Sequence, residues 1–379
     1  MFQLRPFQER ALTALKGRPA HVLCVASTGA GKSLIYERQA ARRGTRTLLV
    51  TPLIALARQQ LERFRSVGIE VTSATGRGDA PGDPPQGKSG AWIISPETLL
   101  LPGRRRQLES WAPNFLVVDE CHCLWEWGER FRPAFHLLPD LLRSGEISRS
   151  LWLTATLPPH ARAALRAAFD GLGVSLIEQG EFSLPANMAI EAKRISWSER
   201  SLALLSKVSE LRKDGSGLIF VQTRESCERV ARLLRASGQA VISYHAGLSA
   251  EERRNAESAV RSQSVPVVVA TSAFGMGMDY AHLRWVVLWQ APPSLLSLAQ
   301  AIGRAGRSAE VPSRACVFWD QEDFQLIDWM TQSSDQKKAE LLAVARFFQR
   351  EKCRAAELES YFNGQESDKI CRKCDECRK

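Results

Sequence analysis

The stretch Ala26-Ser27-Thr28-Gly29-Ala30-Gly31-Lys32-Ser33 has the composition and spacing of a loop that holds phosphate. The apolar residues 21–25 before it read as a buried strand, and residues from Leu34 onward read as a helix. Between a strand and a helix, Gly29 and Gly31 let backbone N–H groups turn toward an anion, and the helix start adds partial positive charge. Thr28 lies in the same loop. Lys32 is expected to reach β- and γ-phosphates, and Ser33 to offer its hydroxyl to Mg2+. The strict pattern opens on glycine, and here Ala26 holds that place. A chance glycine-rich turn is the plainer alternative, and the flanking elements argue against it.

A second group of residues complements the loop. Asp119-Glu120 follows four apolar residues, Phe115-Leu116-Val117-Val118. Alone, such a pair would be a solvated turn. At the end of a parallel strand beside a phosphate loop, Asp119 is expected to hold Mg2+, through water. Glu120 is placed to orient or deprotonate the attacking water. In Gln300-Ala301-Ile302-Gly303-Arg304-Ala305-Gly306-Arg307, two arginines three apart are expected on one helical face. Arg304 and Arg307 can then stabilise charge on a transferring phosphoryl group. A basic surface helix is the alternative, but two glycines in a helix cost ~1 kcal/mol each.

Aromatic residues and arginine crowd residues 123–133, directly after the acidic pair. Trp125, Trp127, Phe131 and Arg132 are candidates to sense nucleic acid and report to the phosphate site, since bases stack on aromatic faces for ~1–3 kcal/mol each. Core packing is the alternative. At the other end, Cys353 and Cys371-Arg372-Lys373-Cys374-Asp375-Glu376-Cys377 put four of nine cysteines in the last 27 residues. Four thiolates at that spacing suit tetrahedral Zn2+ in a closed, structural site, with Asp375 not needed as a ligand. Free surface thiols are the alternative. A catalytic metal at Cys121-His122-Cys123 is disfavoured.

These groups need rigid elements to hold them. The chain has 379 residues, 44% of them hydrophobic, which suits two domains and an appendage. The net charge of +10 favours a polyanionic partner, nucleic acid before membrane. No run of ~18 apolar residues and no apolar signal core is present, so a cytoplasmic protein is expected. A helix is expected near residues 4–15, and strands at 21–25, 47–50, 91–94, 115–118 and 151–154. Residues 76–90 read as an exposed loop. Periodicity fades over residues 181–198, which reads as a linker. Further strands are expected at 217–221, 240–244, 265–270 and 285–288, then helices from residue 335 to the cysteine cluster. Alternation of strands and helices implies parallel α/β sheets.

Taken together, the phosphate loop, Asp-Glu-x-His, Thr154-Ala155-Thr156 and Gln-x-x-Gly-Arg-x-Gly-Arg resemble a superfamily 2 helicase. Finer features resemble its RecQ family of DNA helicases, over nearly the whole chain. They are Leu4-Arg5-Pro6-Phe7-Gln8, Thr51-Pro52-Leu53-Ile54-Ala55-Leu56, Ser95-Pro96-Glu97, Tyr244-His245-Ala246-Gly247-Leu248 and residues 270–279. The aromatic loop resembles that family's at Trp127, Gly128, Phe131, Arg132 and Pro133, departs from it at Glu129-Arg130, and adds Trp125. The cysteine spacing resembles the family's zinc-binding subdomain.

That resemblance implies an α/β fold of two RecA-like parallel-sheet lobes in tandem plus a small helical zinc-binding subdomain. The expected boundaries are residues 1–182, 183–335 and 336–379. ATP and Mg2+ are expected in a cleft between the lobes, with Arg5 and Gln8 on adenine and Asp279 on the ribose or bridging the lobes. Thr154 and Thr156 would couple hydrolysis to movement, and His122 and His245 would join the DNA-coupling set. The implied activity is ATP-dependent 3′→5′ translocation on single-stranded DNA and unwinding of forked DNA in repair or recombination, by a monomer. A DNA-stimulated translocase or annealing module without processive unwinding is the alternative, and an RNA-directed ATPase is another. The expectation is a short form lacking the family's winged-helix and helicase-and-RNase-D C-terminal domains.

Overall fold

A computed structural model describes residues 3–27, 29–52, 54–75, 82–123, 138, 141–143, 147–274, 280–306, 310–331 and 335–379. The chain divides into two compact units, Met1–Ser183 and Leu184–Lys379. The cysteine-rich end belongs to the second.

The first unit is built on a seven-stranded parallel sheet. Its strands are β1 (Ala20–Val25), β2 (Arg46–Val50), β3 (Val71–Ala74), β4 (Gly90–Ile94), β5 (Phe115–Val118), β6 (Arg149–Thr154) and β7 (Leu176–Gln179), in the order β3-β4-β2-β5-β6-β1-β7. Every residue of β1, β4, β5 and β6 is buried. Strands buried along their whole length are what a parallel sheet covered on both faces requires. Helices α1 (Pro6–Ala14), α2 (Ser33–Ala40), α3 (Ile54–Ser66), α4 (Pro96–Leu99), α5 (Arg104–Trp111) and α6 (Pro159–Gly171) connect the strands. One core joins Val22 and Cys24 to Ile35, Tyr36, Leu49, Phe64, Phe115, Val117, Leu151 and Leu153.

The sheet order matters for chemistry. Strands β5, β6 and β1 are neighbours, with Val25 opposite Thr154 and Val118 opposite Trp152. Their C-terminal ends therefore open side by side, and the phosphate loop, Asp119 and Thr154 leave the sheet at one edge, where α/β sheets bind ligands.

The second unit holds a six-stranded parallel sheet in the order β10-β11-β9-β12-β13-β8. These strands are β8 (Met188–Arg194), β9 (Ser216–Phe220), β10 (Val241–Tyr244), β11 (Val267–Ala270), β12 (Leu283–Leu288) and β13 (Ser313–Trp319). Helices α7 (Arg200–Leu211), α8 (Arg224–Ala236), α9 (Ala250–Arg261), α10 (Leu295–Ile302), α11 (Gln321–Thr331), α12 (Asp335–Gln349) and α13 (Arg354–Asn363) complete it. Gly217 is fixed by packing: a Cβ there would stand 2.0 Å from the Trp285 ring. Arg200 and Asp323, both fully buried, form a two-pronged ion pair at 2.9 Å on each prong. Asp323 Oδ2 also accepts the Ala291 and Asp320 N–H groups, so one carboxylate pins three segments.

Three readings of the sequence are corrected. The stretch 181–198 is not all linker, because Met188–Arg194 pairs along its whole length with β13 as an edge strand. Its inward residues Met188 and Ile190 are buried, and one apolar face is enough at an edge. Within 76–90, Pro85 is buried, Trp92 Nε1–H donates to Gly82 O at 3.2 Å, and Gly90 opens β4. The described part of that loop is thus partly packed, with Asp83, Gln86 and Lys88 exposed as expected. Finally, α10 stops at Ile302 with Gly303 as its cap, and Gly306 takes a left-handed φ of 77°. Arg304 therefore lies beyond the helix rather than on a helical face shared with Arg307, and the two glycines end the helix instead of weakening it.

Candidate functional site

The phosphate loop begins where β1 ends. Gly29 and Gly31 take left-handed φ values of 78° and 80°, which admit glycine at no steric cost. Lys32 opens α2, and its Nζ donates to the loop carbonyls of Ala26 at 2.7 Å and Ser27 at 3.2 Å. Ser33 is the first residue of α2.

Gln8 braces the loop from α1. Its Nε2 donates to Gly31 O at 2.8 Å, while its Oε1 accepts the Arg5 N–H at 2.8 Å. A Cβ on Gly31 would lie 2.9 Å from Gln8 Nε2, so glycine is needed there for space as well as for φ. The Gln8 amide, expected on adenine, is buried and engaged at both ends within the first unit. Arg5 is exposed beside it.

Asp119 sits just past β5 and is 8% exposed. Its Oδ2 accepts from Gln60 Nε2 at 2.6 Å and its Oδ1 from the Glu120 N–H at 3.0 Å. Burial, and then the neighbouring Glu120 charge, push the Asp119 carboxyl up from its ordinary range, against the pull of Lys32 and its hydrogen bonds. A cation beside it would relieve both causes. Gln60 was not singled out from the sequence. Its signal was a polar residue on the inward stripe of α3, between Ala57 and Phe64, all three buried.

Glu120 has a φ of 49°, unusual for a side chain, which turns the chain sharply after Asp119. Its Oε2 lies 3.4 Å from His122 Nδ1. The same nitrogen is 2.8 Å from Thr154 Oγ1. Thr154 Oγ1 donates to Thr156 O at 2.8 Å and accepts the Thr156 N–H at 3.1 Å. With its one proton committed, Thr154 must accept from His122, which assigns the proton of the neutral ring to Nδ1. Nε2 is then the acceptor that faces Cys123 Sγ, 3.3 Å away. A continuous run of contacts thus links Glu120, His122, Thr154 and Thr156, four of the expected site residues.

In the second unit, His245 is buried. Its Nδ1 accepts the Gly247 N–H at 3.2 Å, so Nε2–H faces Glu228 Oε1 at 3.0 Å. Arg304 is half-buried in the turn after α10. Thr28, Trp125, Trp127, Glu129, Arg130, Phe131, Arg132, Asp279 and Arg307 lie outside the described residues.

Cys353, Cys371, Cys374 and Cys377 bring their Sγ atoms within 4.8 Å of one another. Tetrahedral Zn–S bonds of ~2.3 Å set sulfurs ~3.8 Å apart, inside that limit, so the set fits the ion. N–H groups of Cys371, Lys373 and Cys374 donate to the sulfurs of Cys353 and Cys371 at 3.3–3.4 Å. Asp375 is turned away to other work. It accepts from Arg354 and from the Ala192 N–H, and its own N–H donates to Ile190 O at 3.1 Å. The cysteine loop is thereby sewn to the edge strand β8.

Comparison with known proteins places this geometry. The DEAD/DEAH box helicase family matches residues 5–164, and the helicase conserved C-terminal domain matches 200–309. The ATP-dependent DNA helicase RecQ of Pasteurella multocida is 30% identical over 98% of this chain and 60% of its own length. The ATP-dependent DNA helicase Q5 of Rattus norvegicus is 30% identical over 98% of this chain and 42% of its own. The chain thus spans only part of the curated relatives it matches. Among solved structures, S. cerevisiae Dbp5 bound to RNA and ADP BeF3 superposes with a TM-score of 0.69 at 19% identity, over 91% of this chain and 93% of that one. Mycobacterium smegmatis helicase Lhr bound to ssDNA and AMP-PNP gives 0.63 at 22%, over 92% and 48%. Two RecA-like parallel-sheet lobes, with a phosphate loop and an acidic pair on the first, define a superfamily 2 helicase core. Within that class, the chain belongs to the RecQ family. Among the described residues no helix is long and apolar enough to cross a membrane.

Proposed function

We propose that this chain is an ATP-dependent DNA helicase that moves 3′→5′ along single-stranded DNA and opens forked duplexes in repair or recombination, acting as a monomer. The observation that carries the reading is the run of contacts from the acidic pair to Thr156, beside the phosphate loop of the same lobe.

In this reading Lys32 exchanges the neutral carbonyls of Ala26 and Ser27 for charged phosphate oxygens, a stronger set of hydrogen bonds. Ser33 and Asp119 would hold Mg2+, which neutralises developing phosphate charge when bound. Gln60 keeps the Asp119 carboxylate in one orientation. Glu120 orients the attacking water and takes its proton. Arg304 and Arg307 are the second lobe's cations for transition-state charge. Movement of Glu120 as charge shifts is felt by His122 and passed to Thr154 and Thr156, the route we assign to coupling. Arg5, Gln8 and Asp279 bind the nucleoside. Trp125, Trp127, Phe131, Arg132 and His245 form the DNA-sensing set. The four cysteines would hold a structural Zn2+ with no open position.

The test is ATP hydrolysis with and without single-stranded DNA, in wild type and Lys32→Ala. Strong stimulation by DNA that is lost in the variant supports the reading. Hydrolysis indifferent to DNA, or unchanged by the substitution, overturns it.

A further inference from the structure

The first sheet has a second edge with charge on it. Opposite the phosphate loop, the N-terminal ends of β2, β5, β6 and β1 lie side by side. Arg46 opens β2, Arg149 opens β6, Arg18 stands just before β1, and Arg42 follows the end of α2. Strand β1 separates this edge from the loop by roughly 17 Å, at ~3.3 Å per residue.

Arg149 is only 5% exposed, with its guanidinium carbon 5.7 Å from the centre of the Phe115 ring. Its Nε is buried and meets no hydrogen-bond partner, and neither does Arg46 Nε. Among the described residues, no carboxylate pairs with Arg18, Arg42, Arg46 or Arg149. Arg42 donates to Gln39 Oε1 at 3.0 Å, a neutral acceptor. Burial, then Arg18, then Arg42 all push the Arg149 guanidinium below its ordinary value, and no acid pulls the other way. Guanidinium groups are donors with no acceptor capacity, and a buried one without a counter-charge is costly. The C-terminal ends of α1 and α2 precede Arg18 and Arg42, but each helix end offers only about half a negative charge. Four full cations remain in excess.

We propose that this edge is an anion site for a phosphate group, with Arg149 as its floor and the exposed Arg18 and Arg42 as its rim. The planar forks of guanidinium groups match phosphate oxygens two at a time, which favours phosphate over a monovalent spherical ion. The Phe115 ring flanks the Arg149 guanidinium. The phosphate comes from a nucleic-acid backbone passing this edge or from free phosphate. The site does not depend on the nucleotide reading of the loop.

The experiment is thermal melting against inorganic phosphate at constant ionic strength, with chloride as the balancing anion. The parent protein, Arg149→Gln and Arg42→Gln are compared, each with and without Lys32→Ala to separate any response of the nucleotide loop. We expect phosphate to raise Tm by a few degrees and each arginine substitution to remove most of that rise in both backgrounds. Arg42 is exposed, so its variant carries the test if Arg149→Gln does not fold. Binding of an oligothymidine is then followed against salt. A slope of log affinity against log salt that is shallower by about 1 in Arg42→Gln, alongside the lost phosphate response, assigns a backbone phosphate. An unchanged slope with the phosphate response lost assigns free phosphate. An equal phosphate response in the parent and both arginine variants overturns the proposal.

Discussion

Gln60 Nε2 donates to Asp119 Oδ2 at 2.6 Å, with both side chains buried. Its own Oε1 has no partner, so the amide is held for this one bond. A group that orients a metal-holding carboxylate typically matters 10- to 100-fold for metal affinity or activity. Gln60→Leu should therefore raise the Mg2+ concentration needed for half-maximal ATP hydrolysis by roughly 10-fold or more, with melting little changed. Gln60→Glu should be worse, since it sets a like charge against Asp119. An unaltered Mg2+ requirement in Gln60→Leu would remove Gln60 from the site.

How far this site was legible in the sequence depends on the kind of residue. Lys32, Asp119 and Glu120 sit at fixed offsets from strand ends, and local order declared them, whereas Thr154 was singled out by the family resemblance. Gln60 was hidden because its partner is 59 positions away, and only the folded sheet brings α3 over the end of β5. Strand β8 was hidden for the same kind of reason. Its Met188 and Ile190 face inward at an edge, and only pairing with β13 makes them a strand. The glycines of residues 300–307 misled, because a helix with two weak positions and a helix ended by a cap look alike until φ is known.

The Asp119 carboxyl is raised by burial and by Glu120. A carboxyl whose folded-state value lies above its unfolded value gives stability that is complete below the unfolded pKa and lost as pH rises through the folded one. Without metal or nucleotide, Asp119→Asn should thus melt higher than wild type at pH 8. The gap should close as pH falls toward 5. Mg2+ with ATP should reverse the order at pH 8, because only the carboxylate gains from the cation. A wild type that melts higher than Asp119→Asn at pH 8 without metal would show that the carboxylate is not strained.

The Arg200–Asp323 pair anchors the second lobe with no solvent at either group. Removing one partner strands a buried charge, which costs ~3–5 kcal/mol. Asp323→Ala should shift the urea midpoint of the second lobe strongly. Replacing both residues with Leu should recover part of that loss, since no charge is then left alone. Equal destabilisation by the single and double variants would mean that packing, not charge, holds this corner.

At the cysteine cluster, metal and fold are linked through Asp375, whose backbone and carboxylate both bind β8. Purified protein should carry one equivalent of Zn2+ bound by its single four-cysteine cluster. A strong chelator should lower Tm and speed hydrogen exchange at the Ala192 amide. Metal-free protein with an unchanged melt and an equally protected Ala192 would contradict a structural zinc.

The central claim is that ATP turnover at this phosphate loop drives strand separation with a fixed direction. Its most direct test is ATP-dependent displacement of a labelled strand from duplexes carrying a 3′ or a 5′ single-stranded tail, with Lys32→Ala as the control. Displacement is expected from the 3′-tailed duplex, none from the 5′-tailed one, and none with Lys32→Ala. Displacement that persists in Lys32→Ala, or no displacement from either tail while DNA-stimulated hydrolysis continues, would contradict it.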